Sequence, residues 1–368
     1  MDQRRDSPYF VPTTSKTLDI LEAFAAPTEE LTLEEIVIRA RIARTTALRI
    51  LYTLEQRRYI TRRGKRYRLN PTRRKIRMGF GSLTSELDFA QKVAASLLKA
   101  ANDSGMEVVV FDNQRDPQAA IQNARRMVEE KIDVAIEFQR HADVSPVIAD
   151  IFGSAGIPLI AVHIPHPGAI YFGVNNYQCG ITAGNALAEV ARKRWNGRVD
   201  LLLLLDIPEG GIVLQSRMTG VLQALEAAIT LDTSKRVVRT DSGGERAQAK
   251  AATVAVLRQF PKAKRILVSA SSDDGALGAL DALKTTNRDA VIVGMEGSAE
   301  AVEVIARGDT AYLATVGFFP DQYGPALVEL VLSLVNGDQV PPSRYVDHEL
   351  IDRAKARELL HIKNGVKK

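Results

Sequence analysis

The sequence predicts an α/β protein with two lobes built on parallel sheets, preceded by a small basic module of three helices and a hairpin. Three observations carry this. From residue 76 onward, short apolar runs alternate with amphipathic stretches of helical period, the pattern of parallel strands covered on both faces. Ahead of that region, residues 39–77 hold fifteen Lys and Arg against one acid, Glu55, while the whole chain carries only +5. The length, 368 residues, exceeds what one hydrophobic core usually serves and points to two or three folding units.

Composition excludes several classes. Cys179 is the only cysteine, so neither an intrachain disulfide nor a multi-cysteine zinc site is available. The opening MDQRRDSPYF lacks the apolar core of a signal peptide. The greasiest run, 199–205, is far too short to span a bilayer. A cytoplasmic protein with no membrane partner is expected. Charge segregated into one short region marks a polyanion-binding patch, and nucleic acid leads the candidates because each neutralised phosphate releases a counterion.

The basic module reads as folded. Residues 15–26 (SKTLDILEAFAA) predict a helix capped by Ser15, with Leu18, Leu21 and Ala25 on one face and Pro27 ending it. Thr32 with Glu35 three residues on is a capping-box pattern that starts a second helix. Residues 45–57 (TTALRILYTLEQR) predict a third, with Leu48, Leu51, Tyr52 and Leu54 facing inward. Two β-prone runs flank Gly64 and predict a basic hairpin. Three helices plus a hairpin make a winged helix-turn-helix whose third helix enters the major groove. Arg44 and Arg49 are candidates for reading guanine edges. Thr45 and Thr46 are candidates for phosphate or thymine methyl. Arg62, Arg63, Lys65 and Arg66 on the wing are expected to lie along phosphates or reach the minor groove. A bare solvated charge run is disfavoured, because such runs do not interleave with capped amphipathic helices. RNA is the lesser partner, since no aromatic platform for single strands is visible.

SKTLDILEAF followed by LTLEEIVIRARIARTTALRILYTLEQRRYITRRGKRYRLNP resembles the DNA-binding domain of the IclR family, over residues 15–70. The resemblance rests on the order of these pieces, each weak alone.

In the larger region the strand runs are 76–81, 108–112, 134–138, 159–163, 199–205, 236–239, 265–269, 290–295 and 311–316. Ligands in such sheets bind beyond the carboxyl ends of the strands. This places 82–88, 139–143, 163–167, 269–274, 296–298 and 317–321 around a cleft. KIRMGFGS, IPLIAVHIP, YFGVNNYQCGITAG, SRMTGVLQAL, SASSDDGALGAL, VIVGMEGS and ATVGFFPDQYG, in that order, are similar to the type I periplasmic binding proteins and the sensor domains of lactose-repressor-type regulators. That resemblance implies two similar lobes joined by three hinge strands and closing on a ligand. It implies effector contacts from Phe89, His163, Gln215, Asp273, Glu296 and Phe318. The match departs from the sugar-binding pattern. An Asp-Arg pair is replaced by His163-Ile164, an arginine by Gln215, and an Asn by Ser272 before the retained Asp273. Glu296 stands for an Asp and Phe318 for a Gln. Two arginines and several amides are thereby lost, which argues against a simple pentose or hexose. The expected effector is a small polar metabolite such as a carbohydrate or derivative.

His163 and His166 form His-x-x-His, an incomplete metal set unless Glu296 or Asp273 joins it. Asp273-Asp274 at a helix start is a cap before it is an acid–base pair. Gly210-Gly211 and Gly243-Gly244 lack a phosphate-loop lysine, so turns are expected there. Cys179 is expected as a buried structural thiol. No catalytic residue, metal or cofactor is assigned. The expected organisation is a winged helix-turn-helix over 1–70, a basic linker with the start of the first strand over 71–77, and a two-lobed ligand-sensing and dimerisation domain over 78–368. Relatives of both modules act as dimers, so the resemblance implies a homodimer on a double-stranded DNA operator. Pro71 in the linker restricts Asn70 to extended conformations, which suits the passage of a signal between domains. The expected function is a ligand-responsive, DNA-binding transcriptional regulator. The alternative is an α/β enzyme with an appended nucleic-acid-binding module.

Overall fold

The computed structural model describes residues 9–26, 29–57, 59–70 and 75–365. Arg58, Arg73 and Arg74 of the basic run, the helix-ending Pro27, and 71–74 of the linker with Pro71 lie outside them. The chain divides into two compact units. One is Met1–Ile76 with Glu329–Val340, the other Arg77–Val328 with Pro341–Lys368.

In the first unit α1 (Pro12–Glu22), β1 (Glu30–Thr32), α2 (Leu33–Ala40), α3 (Arg44–Gln56), β2 (Ile60–Arg63) and β3 (Arg66–Leu69) follow in order. Proline at the first turn of α1 starts the helix after Val11, so the expected cap at Ser15 gives way to a pre-set φ. Thr32 and Glu35 form the reciprocal capping box that starts α2. β2 and β3 pair antiparallel around Gly64, from Ile60 opposite Leu69 to Arg63 opposite Arg66, and Gly64 takes φ 59°. β1 adds to β3, giving the order β1-β3-β2. The core gathers Ile20, Ile36, Ala47, Leu51, Leu54 and Ile60. Leu48 and Tyr52, expected inside, are exposed. With the helix beginning at Arg44, the buried stripe runs 47, 50, 51, 54, and positions 48 and 52 fall off that face.

The second unit is two lobes. The first contains β4 (Arg77–Ser82), α4 (Asp88–Asp103), β5 (Glu107–Asp112), α5 (Pro117–Glu129), β6 (Val134–Glu137), α6 (Ser145–Ser154), β7 (Leu159–Val162) and β8 (Ile170–Val174). The second contains α7 (Asn176–Trp195), β9 (Leu201–Asp206), α8 (Gly211–Ala228), α9 (Thr233–Arg236), β10 (Val237–Asp241), α10 (Arg246–Gln259), β11 (Arg265–Ala270), α11 (Asp273–Leu283), β12 (Asp289–Glu296), α12 (Ala299–Arg307) and β13 (Tyr312–Gly317). Then α13 (Tyr323–Val335) and β14 (Ser343–Val346) precede β15 (Glu349–Ile351) and α14 (Arg353–Gly365). The sheets have the orders β14-β8-β7-β6-β4-β5 and β10-β9-β11-β12-β13-β15. Every pairing is parallel except β13 with β15. Because β14 returns to the first sheet and β15 to the second, the chain crosses between lobes three times.

Leu201–Leu205 shows why the strand runs were legible. All five leucines are buried, as a central parallel strand covered by helices on both faces requires. The helices α7 and α8 meet almost backbone to backbone. A Cβ on Gly180 would stand 2.0 Å from the Arg217 carbonyl oxygen, and one on Gly220 2.3 Å from that of Tyr177. This crossing fixes α8, which supplies two walls of the cleft. Gly180→Ala should therefore destabilise the second unit by about 1–3 kcal/mol, read as a lower urea midpoint. An unchanged midpoint would mean that α7 and α8 do not cross at backbone contact.

The first lobe holds a buried carboxyl. Glu137 Oε1 accepts from Asn113 Nδ2 at 2.6 Å, while Oε2 is buried without a hydrogen-bond partner. Burial pushes Glu137 up to about 8, against an ordinary 4.5. The folded state thus holds a proton that the unfolded chain releases, and stability falls as pH rises from about 4.5 towards 8. Glu137→Gln should flatten that fall, measured as the change of melting temperature between pH 5 and pH 8. A variant with the parent's pH slope would show the carboxyl to be ionised in the fold.

Candidate functional site

A cavity of about 470 Å³ lies between the lobes of the second unit. Loops after β4, β6 and β7 line it from one side, and the ends of β9, β11, β12 and β13 with α8 from the other, as strand-end binding in parallel sheets dictates. Four of the six expected effector residues, Phe89, His163, Glu296 and Phe318, line it; Gln215 and Asp273 do not.

On α8 the cavity face is Leu214 and Arg217, one turn apart. Gln215 falls to the side, and its amide donates to the Pro208 carbonyl at 3.1 Å. Asp273 is fully buried and already satisfied. It accepts from Tyr312 Oη at 2.7 Å, Thr315 Oγ1 at 2.6 Å and Ser298 N–H at 2.6 Å. The cap of α11 is Ser272, whose Oγ accepts from Gly275 N–H. Burial lifts Asp273 to about 6 despite those bonds. Loss of water, then the neighbouring Asp273 charge, pushes Glu296 up to about 8, so a protonated carboxyl faces the cavity at neutral pH.

Arg217 was missed in the sequence, where it read as part of a helix. Its Nε donates to Asn176 Oδ1 and its Nη1 to the Ser271 carbonyl, each at 2.7 Å. Its guanidinium carbon lies 4.9 Å from the Phe318 ring centre, a cation–π contact. The signal that could have found it is its place on the apolar face of α8 beside Leu214. A buried guanidinium so placed offers its remaining N–H groups to a ligand.

His163 contributes a ring wall. Its Nε2 lies 3.2 Å from Tyr323 Oη, and its Nδ1 is buried beside Gly173 without a partner. Burial lowers His163 to about 3 and His166 to about 4, so both are neutral. Phe89 contacts Phe138, His163 and Phe318 with ring centres 5.6–6.3 Å apart. Among the described residues no group of three or more His, Cys, Asp and Glu is placed to hold a metal. Cys179 is buried, and burial pushes its thiol up to about 12.

Ion pairs join the lobes at the cavity edge. Arg115 Nη1 donates to Glu245 Oε1 at 2.9 Å. Arg140 Nε lies 2.6 Å from Glu209 Oε1, and Arg140 Nη1 donates to the Gly243 carbonyl at 3.1 Å. The backbone bond from Ala142 N–H to the Glu209 carbonyl, 2.8 Å, also crosses the cleft.

In the first unit, Arg44, Thr45, Arg49, Arg62, Arg63, Lys65 and Arg66 are exposed and Thr46 is half-buried. Arg44 pairs with Glu34 at 3.4 Å, Arg66 with Glu35 at 3.8 Å, and Arg63 with Asp338 at 2.8 Å. Arg62 Nε folds back on the Gly64 carbonyl. Arg68, counted in the basic run, turns inward. The outer face of α3 mixes Arg49 with Leu48, Tyr52 and Thr53 around a shallow hollow.

Two parallel-sheet lobes around an enclosed cleft, with a helix-turn-helix ahead of them, define a ligand-binding domain joined to a DNA-binding one. The chain belongs to the periplasmic binding protein domain family, whose family model matches residues 79–339. The IclR helix-turn-helix domain matches residues 13–64. Neither is an enzyme family. Curated relatives include the ribose import binding protein RbsB of Haemophilus influenzae, 24% identical over 259 residues, covering 69% of this chain and 83% of that protein. RbsB of Escherichia coli K12 is 25% identical over 266 residues, covering 69% and 82%. Similar solved structures include a Mycobacterium smegmatis protein in complex with β-D-fucofuranose, with a TM-score of 0.68, 20% identity, and 78% and 95% of the two chains covered. A periplasmic solute binding protein from Actinobacillus succinogenes with bound D-allose has a TM-score of 0.65 and 19% identity, with 77% and 100% covered.

The inter-lobe pairs carry a prediction about closure. They are partly shielded from water, so each is worth about 1 kcal/mol at most, and together they bias the lobes towards the closed arrangement. The Arg115→Ala/Arg140→Ala double variant, free of ligand, should show a larger radius of gyration in small-angle scattering than the parent. Equal radii would mean that closure does not depend on these pairs.

Proposed function

We propose that this protein is a sugar-responsive, DNA-binding transcriptional regulator acting in the cytoplasm as a homodimer. The observation that carries the reading is a single chain joining an IclR helix-turn-helix domain to an enclosed cleft of the periplasmic-binding-protein type. A binding cleft needs only convergent polar groups in a shaped cavity, and Arg217, Ser272, Asp274 and Glu296 supply them here. Relatives named for ribose binding support a carbohydrate or derivative as effector. Among the described residues no helix is long and apolar enough to cross a membrane, in keeping with a protein whose partner is double-stranded DNA. Effector contacts are assigned to Phe89, His163, Glu296 and Phe318, with Arg217 added.

The winged helix reads DNA with α3 in the major groove. Arg44, Thr45, Thr46 and Arg49 approach base edges and adjoining phosphates, and Arg62, Arg63, Lys65 and Arg66 hold backbone phosphates. A dimer engages paired half-sites separated by about one helical turn or a multiple. The effector acts by binding the open and closed lobes unequally, which is the thermodynamic condition for coupling to DNA affinity.

Two arms test the reading on a selected operator. Arg62→Ala/Arg63→Ala should weaken binding to all sequences alike and reduce the salt slope by about 1 per lost phosphate contact. Arg49→Ala should also relax base preference. DNA affinity untouched by either change, or a monomer on DNA in sedimentation, would overturn the respective assignment.

A further inference from the structure

One wall of the cavity is apolar. Ile164 of the first lobe meets Ile207 and Leu214 of the second in a separate apolar cluster, with Ala142 packed against it. Ile164, Ile207 and Leu214 all line the cavity. Three glycines make the room. A Cβ on Gly210 would stand 2.2 Å from Leu214 Cδ2, one on Gly211 2.7 Å from Ala142 Cβ, and one on Gly244 2.7 Å from Ile207 Cδ1. Gly211 and Gly244 also take φ of 74° and 66°, where side chains are disfavoured.

The backbone there is committed as well. Ile164 N–H donates to the Val162 carbonyl at 2.8 Å, and the Ile164 carbonyl faces His166 Nδ1 at 2.9 Å. Ile207 N–H donates to Asp206 Oδ1 at 2.9 Å, and its carbonyl accepts from Gly210 N–H at 3.2 Å. Ala142 N–H goes to Glu209 and its carbonyl accepts from Ser145 N–H. A ligand hydroxyl placed against these three side chains would leave water and find no donor or acceptor on them, whereas a methyl group would keep full contact.

We propose that the effector is a deoxy sugar, one whose methyl or methylene carbon replaces a hydroxyl-bearing one, with that carbon seated on Ile164, Ile207 and Leu214. Its remaining hydroxyls face Arg217, Ser272, Asp274 and Glu296. The inference rests on the sugar-sensing reading and narrows it. Apolar sites reject an added hydroxyl by roughly 10- to 100-fold, which sets the expected size of the effect.

The test is calorimetric titration of the full chain with matched pairs: D-galactose and D-fucose, L-mannose and L-rhamnose, D-glucose and D-quinovose, D-ribose and 2-deoxy-D-ribose. In the pair whose configuration fits, the deoxy member should bind at least about 10-fold more tightly. Ile164→Thr, which is smaller and adds a hydroxyl, and Leu214→Gln should each cut that preference several-fold, with folding checked by circular dichroism. Binding in which the hydroxylated members equal or exceed their deoxy partners overturns the deoxy assignment and leaves sugar sensing standing. No binding by any member removes the sugar reading itself, and the narrower inference with it.

Discussion

The second lobe is organised around the carboxylate of Asp273. It is buried and takes three strong hydrogen bonds, from the start of α12 and from two side chains on β13. A buried ionised group must be satisfied or it neutralises, so these partners are held to it and the strand ends are held to each other. Gly294 on β12 leaves the space, since a Cβ there would stand 2.6 Å from Asp273 Oδ1. The same charge bears on Glu296 and helps keep a proton there. A structural carboxylate thus adds to burial in keeping a proton on a cavity-facing acid, although it does not itself line the cavity.

The remaining electrostatics follow from depth. Arg217 is buried, and two acceptors with one aromatic face take the place of the water it lost. His163 and His166 are neutral because burial penalises their charged forms. The cleft therefore combines a buried guanidinium, a protonated acid and several aromatic faces. Two of its residues, His163 and Glu296, hold φ of 64° and 117°, and Phe319 beside Phe318 holds 50°. Strained backbone of this kind concentrates at sites where side chains must be aimed.

Much of the fold was legible in the sequence because parallel strands covered on both faces read as short apolar runs. β8 was not, since Ile170–Val174 mixes Tyr171 and Gly173 into the run. β14 and β15 are short and partly exposed, so they carry no apolar signature. α6 and α12 are short and sit between strands where a loop was a sufficient reading. In the cleft, loop positions after strands were readable from the fold rule, and His163, Glu296 and Phe318 fall within them, while the choice of these residues, and of Phe89 on α4, came from the resemblance. The faces of α8 were not: one residue of register separates Gln215 from Leu214, and side-chain direction on a helix needs the packing of both neighbours. Asp273 misled because an acid at a helix start has the same sequence signature whether it faces a ligand or its own β-strand. In the basic module the capping box and the turn glycine were readable, but apolar residues on two sides of α3 left its inward face open, and packing against Ile20, Ile36 and Ile60 selects Ala47, Ile50, Leu51 and Leu54.

The glycine crossing of α7 and α8 has a mechanical consequence. Two helices separated by backbone thickness alone have no compliant side-chain layer between them, and close-packed interiors transmit displacement rather than absorb it. Leu214 and Arg217 ride on one of these helices, while Asn176, which grips Arg217, begins the other directly after β8, at the first crossing between lobes. A force applied at the cavity wall is thus delivered to that crossing with little loss. The stiffness of the pair makes the second lobe a lever arm and leaves bending to the three crossing segments.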